Sequence, residues 1–331
     1  MRHSARYLVL IYLSFVTFVL ISIGIPVQAA QKHLADDLEV VASQPWKIAY
    51  IIKSGEQNNP YWELVKRGAI QAEREFQVQV DIMSPHKERY DVALQVGLIG
   101  QLKEQGYDGA IIVPIDSNVL VAPVERLVDS GIPVIIHDTP LHSSKVLTQL
   151  SFDNHNAGYS VAGWVVDQLE GKGQVLILEG LQESQNAVER RNGFLAGLAQ
   201  SEIDVLDMRS AGWLRTAATA QVQEWLKFYP DVDAILAAND AMALGAAEAL
   251  DLAGQTAGNI LVTGVDGSEE ALKAIKDQAL HASVDQSPLQ QARKAVQLMV
   301  RHLEQGDTYP SYSVWQQSPL ITSDNVGQFL E

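Results

Sequence analysis

From Trp46 onward, short apolar runs alternate with longer stretches in which apolar residues recur every three or four positions. The first kind of run predicts buried strands and the second amphipathic helices. Strands are expected over 46–52, 78–83, 109–113 and 132–136, with helices over 60–76, 91–105 and up to about 128 between them. Trp62, Val65, Ala69, Ala72 and Phe76 mark one face of the first helix. Pro60 opens it and Asn59 is placed to cap it. Tyr61 and Trp62 are adjacent, so they point about 100° apart, and the pattern does not allow both to be core. A strand over 147–152 breaks the rhythm and leads into a second series. That series has helices over 156–169, 187–199 and 214–227, separated by strands over 174–178 and 203–208. Two further strands follow, over 232–237 and 259–263, with helices over 241–250 and 268–277. A short strand over 280–284, a helix over 289–304 and one or two strands within 312–321 finish the chain, and these last strands can join either series.

Very short Ile/Val strands in regular alternation with helices predict parallel sheets covered on both faces, here as two α/β units with a cleft between them. Open sheets of this kind bind small ligands beyond the carboxyl ends of their strands. Asn59, Asp138, Asn154, Asn239, Asp266 and Gln286 each lie just past a predicted strand. Any one of them is equally well a turn or cap residue; six in a two-unit chain point to a shared site. At 239–240, Asp240 is expected to cap the following helix, leaving Asn239 facing the crevice. Amides donate and accept and carboxylates accept, which suits a neutral polyhydroxylated ligand. Tyr61, Trp62 and Trp213 are candidate flat surfaces for its C–H faces, and Trp213 serves equally well as core. Arg190, with Arg191 beside it, is a candidate forked donor.

Composition narrows the chemistry. Lys plus Arg number 24 against 40 Asp plus Glu, a net charge of −16, which speaks against nucleic-acid binding. The chain has no cysteine and eight scattered histidines, so neither disulfides nor a thiolate or helix-borne metal site is expected, and no cofactor is implied. Gly-x-Ser-x-Gly and Walker A spacings are absent, and His137 beside Asp138 has no nucleophile, so no enzyme is predicted. Arg2, His3 and Arg6 precede an apolar run from Leu8 to Val27 that ends at Ala29-Ala30. This is the pattern of a cleaved export signal over 1–30, followed by a polar leader over 31–46; an uncleaved membrane anchor is the alternative.

Several motifs together resemble a known family. They are Asn58-Asn59-Pro60-Tyr61-Trp62, Asp138 after its strand, Asp153-Asn154, Glu189-Arg190 with Gly193-Phe194, Asn239-Asp240-Ala241-Met242-Ala243-Leu244-Gly245, Gly264-Val265-Asp266-Gly267 and Gln286-Ser287-Pro288. Over about Lys47 to Val314 the chain resembles the periplasmic ribose- and galactose-type sugar-binding proteins, type I solute receptors of ABC importers. Sugar-sensing domains of repressors share the motifs, but carry a DNA-binding helix-turn-helix where this chain has its export signal. The resemblance implies a monomeric Venus-flytrap of two Rossmann-like lobes, one over 47–152 completed by about 287–315, the other over 153–286 completed by about 316–331. It implies a small neutral sugar or polyol held by Asn59, Tyr61, Trp62, Asp138, Asn154, Arg190, Trp213, Asn239, Asp266 and Gln286, and a membrane permease as partner; a sensor histidine kinase is the alternative partner. Ribose receptors have arginines at the positions of Thr139 and Val188, an aromatic at Val265 and a small hydroxyl residue at Gly55, so the resemblance leaves the identity of the sugar open.

Overall fold

The computed structural model describes residues 40–55, 59–86, 90–255, 260–315 and 318–330. The expected export signal and most of the polar leader lie outside these residues, as do Asn58 and Asn259. The compact unit that begins at Val41 holds everything below.

Its first half runs β1 (Lys47–Ile51), α1 (Pro60–Phe76), β2 (Gln79–Met83), α2 (Val92–Gln101), β3 (Gly109–Ile112), α3 (Val121–Asp129), β4 (Val134–Asp138) and β5 (Thr148–Phe152). The strands pair in parallel in the order β2-β1-β3-β4-β5. Every residue of β3 and β4 is buried, which is why these segments read as unbroken apolar runs and not as alternating ones. Ile51, Ile112 and Ile136 meet Ile99, Val124 and Leu127 from the helices in one cluster. Each such side chain stabilises the lobe by roughly 1.5–3 kcal/mol on burial.

The second half repeats the plan with α4 (Asn154–Gln168), β6 (Lys172–Glu179), α5 (Gln185–Leu198), β7 (Glu202–Ser210), α6 (Arg215–Trp225), β8 (Ala234–Ala237), α7 (Asp240–Leu252), β9 (Leu261–Asp266), α8 (Glu269–Lys276) and β10 (Ala282–Asp285). Its sheet has the order β7-β6-β8-β9-β10, again parallel, around a separate apolar core. The chain then crosses back. Helix α9 (Pro288–Gln305) packs on α1, and β11 (Tyr312–Trp315) joins β5 in parallel. A last strand, β12 (Leu320–Thr322), pairs antiparallel with β10. The tail strands, which sequence periodicity could not assign, therefore go one to each sheet.

Strand order reverses beside β1 in the first sheet and beside β6 in the second, and a ligand crevice is expected outside the carboxyl ends at such points. Among the described residues no helix is long and apolar enough to cross a membrane.

Candidate functional site

Lys53, just past β1, and Asp138, at the end of β4, are both buried and form an ion pair with Nζ 3.3 Å from Oδ2. Asn59 caps α1 as expected, its Oδ1 accepting from the Tyr61 N–H at 3.1 Å. This fixes the first turn so that Tyr61 and Trp62 meet edge to face, with centroids 4.9 Å apart. Both rings are buried, although the helix pattern alone does not allow both to be core; both line the same cleft. The Tyr61 hydroxyl donates to Asp138 Oδ1 at 2.9 Å, and Thr139 Oγ1 donates to Oδ2 at 2.7 Å. Burial pushes the Asp138 carboxyl up, but Lys53, with smaller help from His137, Thr139 and Arg190, outweighs it and holds the group below its ordinary value. The same burial lowers Lys53, which Asp138 only partly offsets.

The other wall belongs to the second lobe. Arg190 is among the largest fully buried side chains. Its helix lies close on α4 because a Cβ at Gly158 would come within 2.3 Å of the Arg190 carbonyl oxygen. All three guanidinium nitrogens are engaged: Nε donates to Asn154 Oδ1 at 2.8 Å, one NH group to the Ala238 carbonyl at 2.7 Å and the other to Gln286 Oε1 at 3.2 Å. Gln286 Nε2 in turn donates to Asp266 Oδ1 at 2.5 Å. The guanidinium is 3.7 Å from that carboxylate, too far for a hydrogen bond. Burial, and then the nearby Asp240 carboxylate, push Asp266 well above its ordinary value.

At 239–240 the capping role falls to the neighbour of the residue expected, although Asn239 also lines the cleft as expected. Asn239 is the cap, Oδ1 accepting from the Met242 N–H at 2.9 Å. Asp240, fully buried, accepts instead from the Ser268 N–H at 2.8 Å and the Ser283 hydroxyl at 2.7 Å. Partners in two later segments, which no local pattern reveals, decide between the adjacent candidates. Ser268 also caps its own helix, so Asp266 is free of that duty.

A cleft is lined by Asn59, Tyr61, Trp62, Asp138, Arg190, Trp213, Asn239, Asp266 and Gln286, together with Lys53, Tyr90 and Asn186. Asn154 lies one layer behind, where it orients Arg190 through the Nε contact and anchors itself to the Phe152 carbonyl at 3.0 Å. Arg191 points away, to Glu179 at 3.3 Å. Lys53, Tyr90 and Asn186 were not anticipated. Lys53 follows its strand end just as Asp138 does, and Asn186 sits one helical turn before Arg190, so position alone offered a signal for these two. Asn186 Nδ2 reaches Asp138 Oδ2 at 3.4 Å, a contact between the lobes.

The Trp213 ring is flanked by both cations, with Lys53 Nζ 5.8 Å and the Arg190 guanidinium carbon 5.4 Å from its centroid. Backbone strain gathers at the same place: Asp138, Trp213 and Asp266 have φ of 64°, 69° and 141°. The last value belongs to a region populated almost only by glycine, and such conformations persist where the surroundings enforce them, commonly at functional sites. Within the cleft the indole N–H groups of Trp62 and Trp213 and Oδ2 of Asp266 are buried without a hydrogen-bond partner. Leaving such groups unpaired costs about 1–3 kcal/mol each, and they comprise two donors and one acceptor on cleft-lining residues.

The Periplasmic binding protein domain model matches residues 48–308. The chain is 33% identical over 231 residues to the ribose import binding protein RbsB of Bacillus subtilis, covering 70% of this chain and 73% of that protein. It is 31% identical over 262 residues to the D-allose-binding periplasmic protein of Escherichia coli, covering 76% and 84%. Among solved structures, an ABC transporter periplasmic solute binding protein from Actinobacillus succinogenes with bound D-allose superposes with a TM-score of 0.78 at 25% identity, covering 86% of this chain and all of that one. With two α/β lobes, crossing strands and a polar cleft between them, the chain belongs to the periplasmic binding protein domain family.

Proposed function

We propose that the protein is an extracytoplasmic solute receptor that closes its two lobes on a small neutral sugar or polyol and delivers it to the permease of an ABC importer. The observation that carries this reading is the set of unpartnered atoms in the cleft, two indole N–H donors and one carboxylate oxygen, within a site whose charges occur in pairs. Lys53 accompanies Asp138 on the first lobe and Arg190 accompanies Asp266 on the second. Neutral hydroxyls satisfy such a set, because each can donate to a carboxylate and accept from an N–H. Tyr61, Trp62 and Trp213 supply the aromatic faces, and Asn59, Asn186, Asn239 and Gln286 the amides. Asn154 acts through Arg190. The relatives that bind ribose and allose support the substrate class, and the first-lobe ion pair gives it a different set of donors from that of the ribose receptors. Binding and release, and no turnover, are what this site does.

The lobes divide at about 152/153 and 286/287, with a third crossing near Trp315 where the chain passes from β11 to β12. These three crossings form the hinge. The mature chain begins after residue 29 or 30, works as a monomer outside the cytoplasm, and has lost its signal; mass spectrometry of the exported protein that found Met1–Ala29 intact in a membrane fraction would overturn the cleavage.

A thermal-shift screen of pentoses, hexoses, deoxy sugars and polyols, D-ribose and D-allose included, tests the substrate class, with calorimetry to follow. A ligand at 100 times its Kd adds about 2.7 kcal/mol of stability, a shift of about 4–5 °C for a protein of this size. No shift and no heat across the screen would sink the reading.

A further inference from the structure

Helix α5, which carries Asn186 and Arg190 into the cleft, begins with an anomaly. Ser184 stands at its N-cap position in extended conformation, yet its side chain makes no capping bond to its own helix. The hydroxyl instead donates across the lobes to the Ile115 carbonyl at 2.7 Å. The first N–H of the helix, at Gln185, donates to the hydroxyl of Ser117, a residue of the first lobe, at 3.1 Å. The Ser117 N–H completes the seam by donating to the Glu183 carbonyl at 3.2 Å. A helix end normally has its free N–H groups satisfied by its own cap residue or by water; here the opposite lobe satisfies the first of them, at Gln185.

The first-lobe half of the seam is held in shape independently. Gln95, fully buried, donates to the Val113 carbonyl at 2.8 Å and accepts from the Ile115 N–H at 3.0 Å. Asp116 accepts from the Asn118 and Val119 N–H groups at 2.7 and 2.8 Å. Ser117 and Ser184 are both buried, and neither lines the cleft. Hinge opening at the lobe crossings would separate Ser117 from Gln185 and leave that N–H without its partner.

We propose that Ser117 and Ser184 are positioning residues that latch the closed lobes, Ser117 by accepting from the first N–H of helix α5 and Ser184 by tying the start of that helix to the Ile115 carbonyl, and so set the residence time of the ligand without touching it. The inference rests on the reading of the cleft as the solute site. Because the seam forms only on closure, its hydrogen bonds favour the closed state and slow reopening, while encounter with the open form does not involve them.

Ser117→Ala, Ser184→Ala, their combination and Ser184→Thr test the latch, with D-ribose and D-allose as probes in stopped-flow and calorimetry. Each alanine variant should raise Kd about fivefold, the equivalent of one hydrogen bond of ~1 kcal/mol, and the double variant about 25-fold. The loss should lie in faster dissociation, with association unchanged within about twofold, and Ser184→Thr, which keeps the hydroxyl, should dissociate like the parent. A double variant that dissociates within twofold of the parent overturns the latch. If neither sugar binds the parent, the substrate reading is decided by the wider screen of sugars and polyols, and the latch is judged on the ligand-free protein. The chain has no cysteine, so spin labels at Glu104→Cys and Lys227→Cys report the distance between lobes. The short-distance population should fall in the double variant, and identical distributions overturn the latch.

Discussion

Asp266→Asn should raise stability and lower ligand affinity at the same time. In the folded protein the Asp266 side chain is almost wholly buried. One oxygen accepts a single hydrogen bond, from Gln286, the other has no partner, and the nearest cation is 3.7 Å away. A second buried carboxylate, Asp240, is the main charge acting on it. An ionised group so poorly compensated opposes folding. Its carboxyl is held well above the ordinary value near 3.8 by burial and by Asp240. The folded state therefore binds the proton more tightly than the unfolded chain, and the contribution is fully present below about pH 4 and is lost as pH rises through the higher folded value.

Asparagine has the same shape, no charge and an NH₂ group on the unpartnered side. Removal of one poorly compensated buried charge is worth ~1–2 kcal/mol at neutral pH, or about 1–3 °C in Tm. The ligand loses a charged acceptor, at the lower end of the ~2–5 kcal/mol that truncating such a contact costs, hence about 30- to 100-fold in Kd. Differential scanning fluorimetry at pH 5 and pH 8 and calorimetry with the sugar that binds the parent read the two quantities. The gain in Tm should be larger at pH 8. A variant that melts no higher than the parent at pH 8 and binds within threefold would show that Asp266 neither carries a strained charge nor meets the ligand.

Three further outcomes follow from the same contacts. Lys53→Met leaves Asp138 without its cation in the closed cleft; because opening rehydrates the carboxylate, the loss should appear as at least tenfold weaker binding more than as unfolding, and Lys53→Met/Asp138→Asn should show a coupling above about 1 kcal/mol in a double-mutant cycle. A Cβ at Gly180 would lie 2.1 Å from the Trp213 ring, so Gly180→Ala should displace the indole, alter tryptophan emission and weaken binding at least tenfold, whereas unaltered emission and affinity would place the ring elsewhere. His137, buried and bonded to the Tyr50 hydroxyl at 2.8 Å, is lowered by burial from 6.5 to about 4; its contribution is present above about pH 6.5 and is lost as pH falls toward 4, so urea titrations should find that His137→Asn removes on the order of 3 kcal/mol of the acid-side decline.

The βα alternation could be read from sequence because strands buried on both faces are mostly apolar, as in β3 and β8 and in Val134–Ile136 of β4. Site residues could be read for a related reason, since a polar side chain directly after such a strand has few places to go except the crevice. What sequence could not supply was the identity of the neighbours. Lys53 resembles any loop lysine until Asp138, on a strand two places away in the sheet, is brought beside it. That Asn239 and not Asp240 caps the helix follows from the engagement of Asp240 with Ser268 and Ser283, whose positions relative to α7 exist only in the folded sheet. Asn154 was placed in the right region and at the wrong depth. Its strand end faces the cleft, but the side chain turns to Arg190, a partner 36 residues away.

The two arginines expected from ribose receptors are absent at Thr139 and Val188, yet the cleft is not short of positive charge. Lys53 approaches Asp138 from the neighbouring part of its own sheet, and Thr139, where an arginine fork would have faced the ligand, donates its hydroxyl to the same carboxylate. Arg190 spends its guanidinium on Asn154, Ala238 and Gln286. Both cations are thus committed to protein acceptors, and a carboxylate or phosphate on the ligand would have to break those bonds to claim them. Against a protein carrying a net charge of −16, an anion would also approach uphill. The groups that remain unpaired are two indole N–H donors and one carboxylate oxygen, and these favour hydroxyls. On the proposed function, selectivity against anions would follow from the commitment of Lys53 to Asp138 and of Arg190 to Asn154, Ala238 and Gln286, which leaves neither cation free for a charged solute.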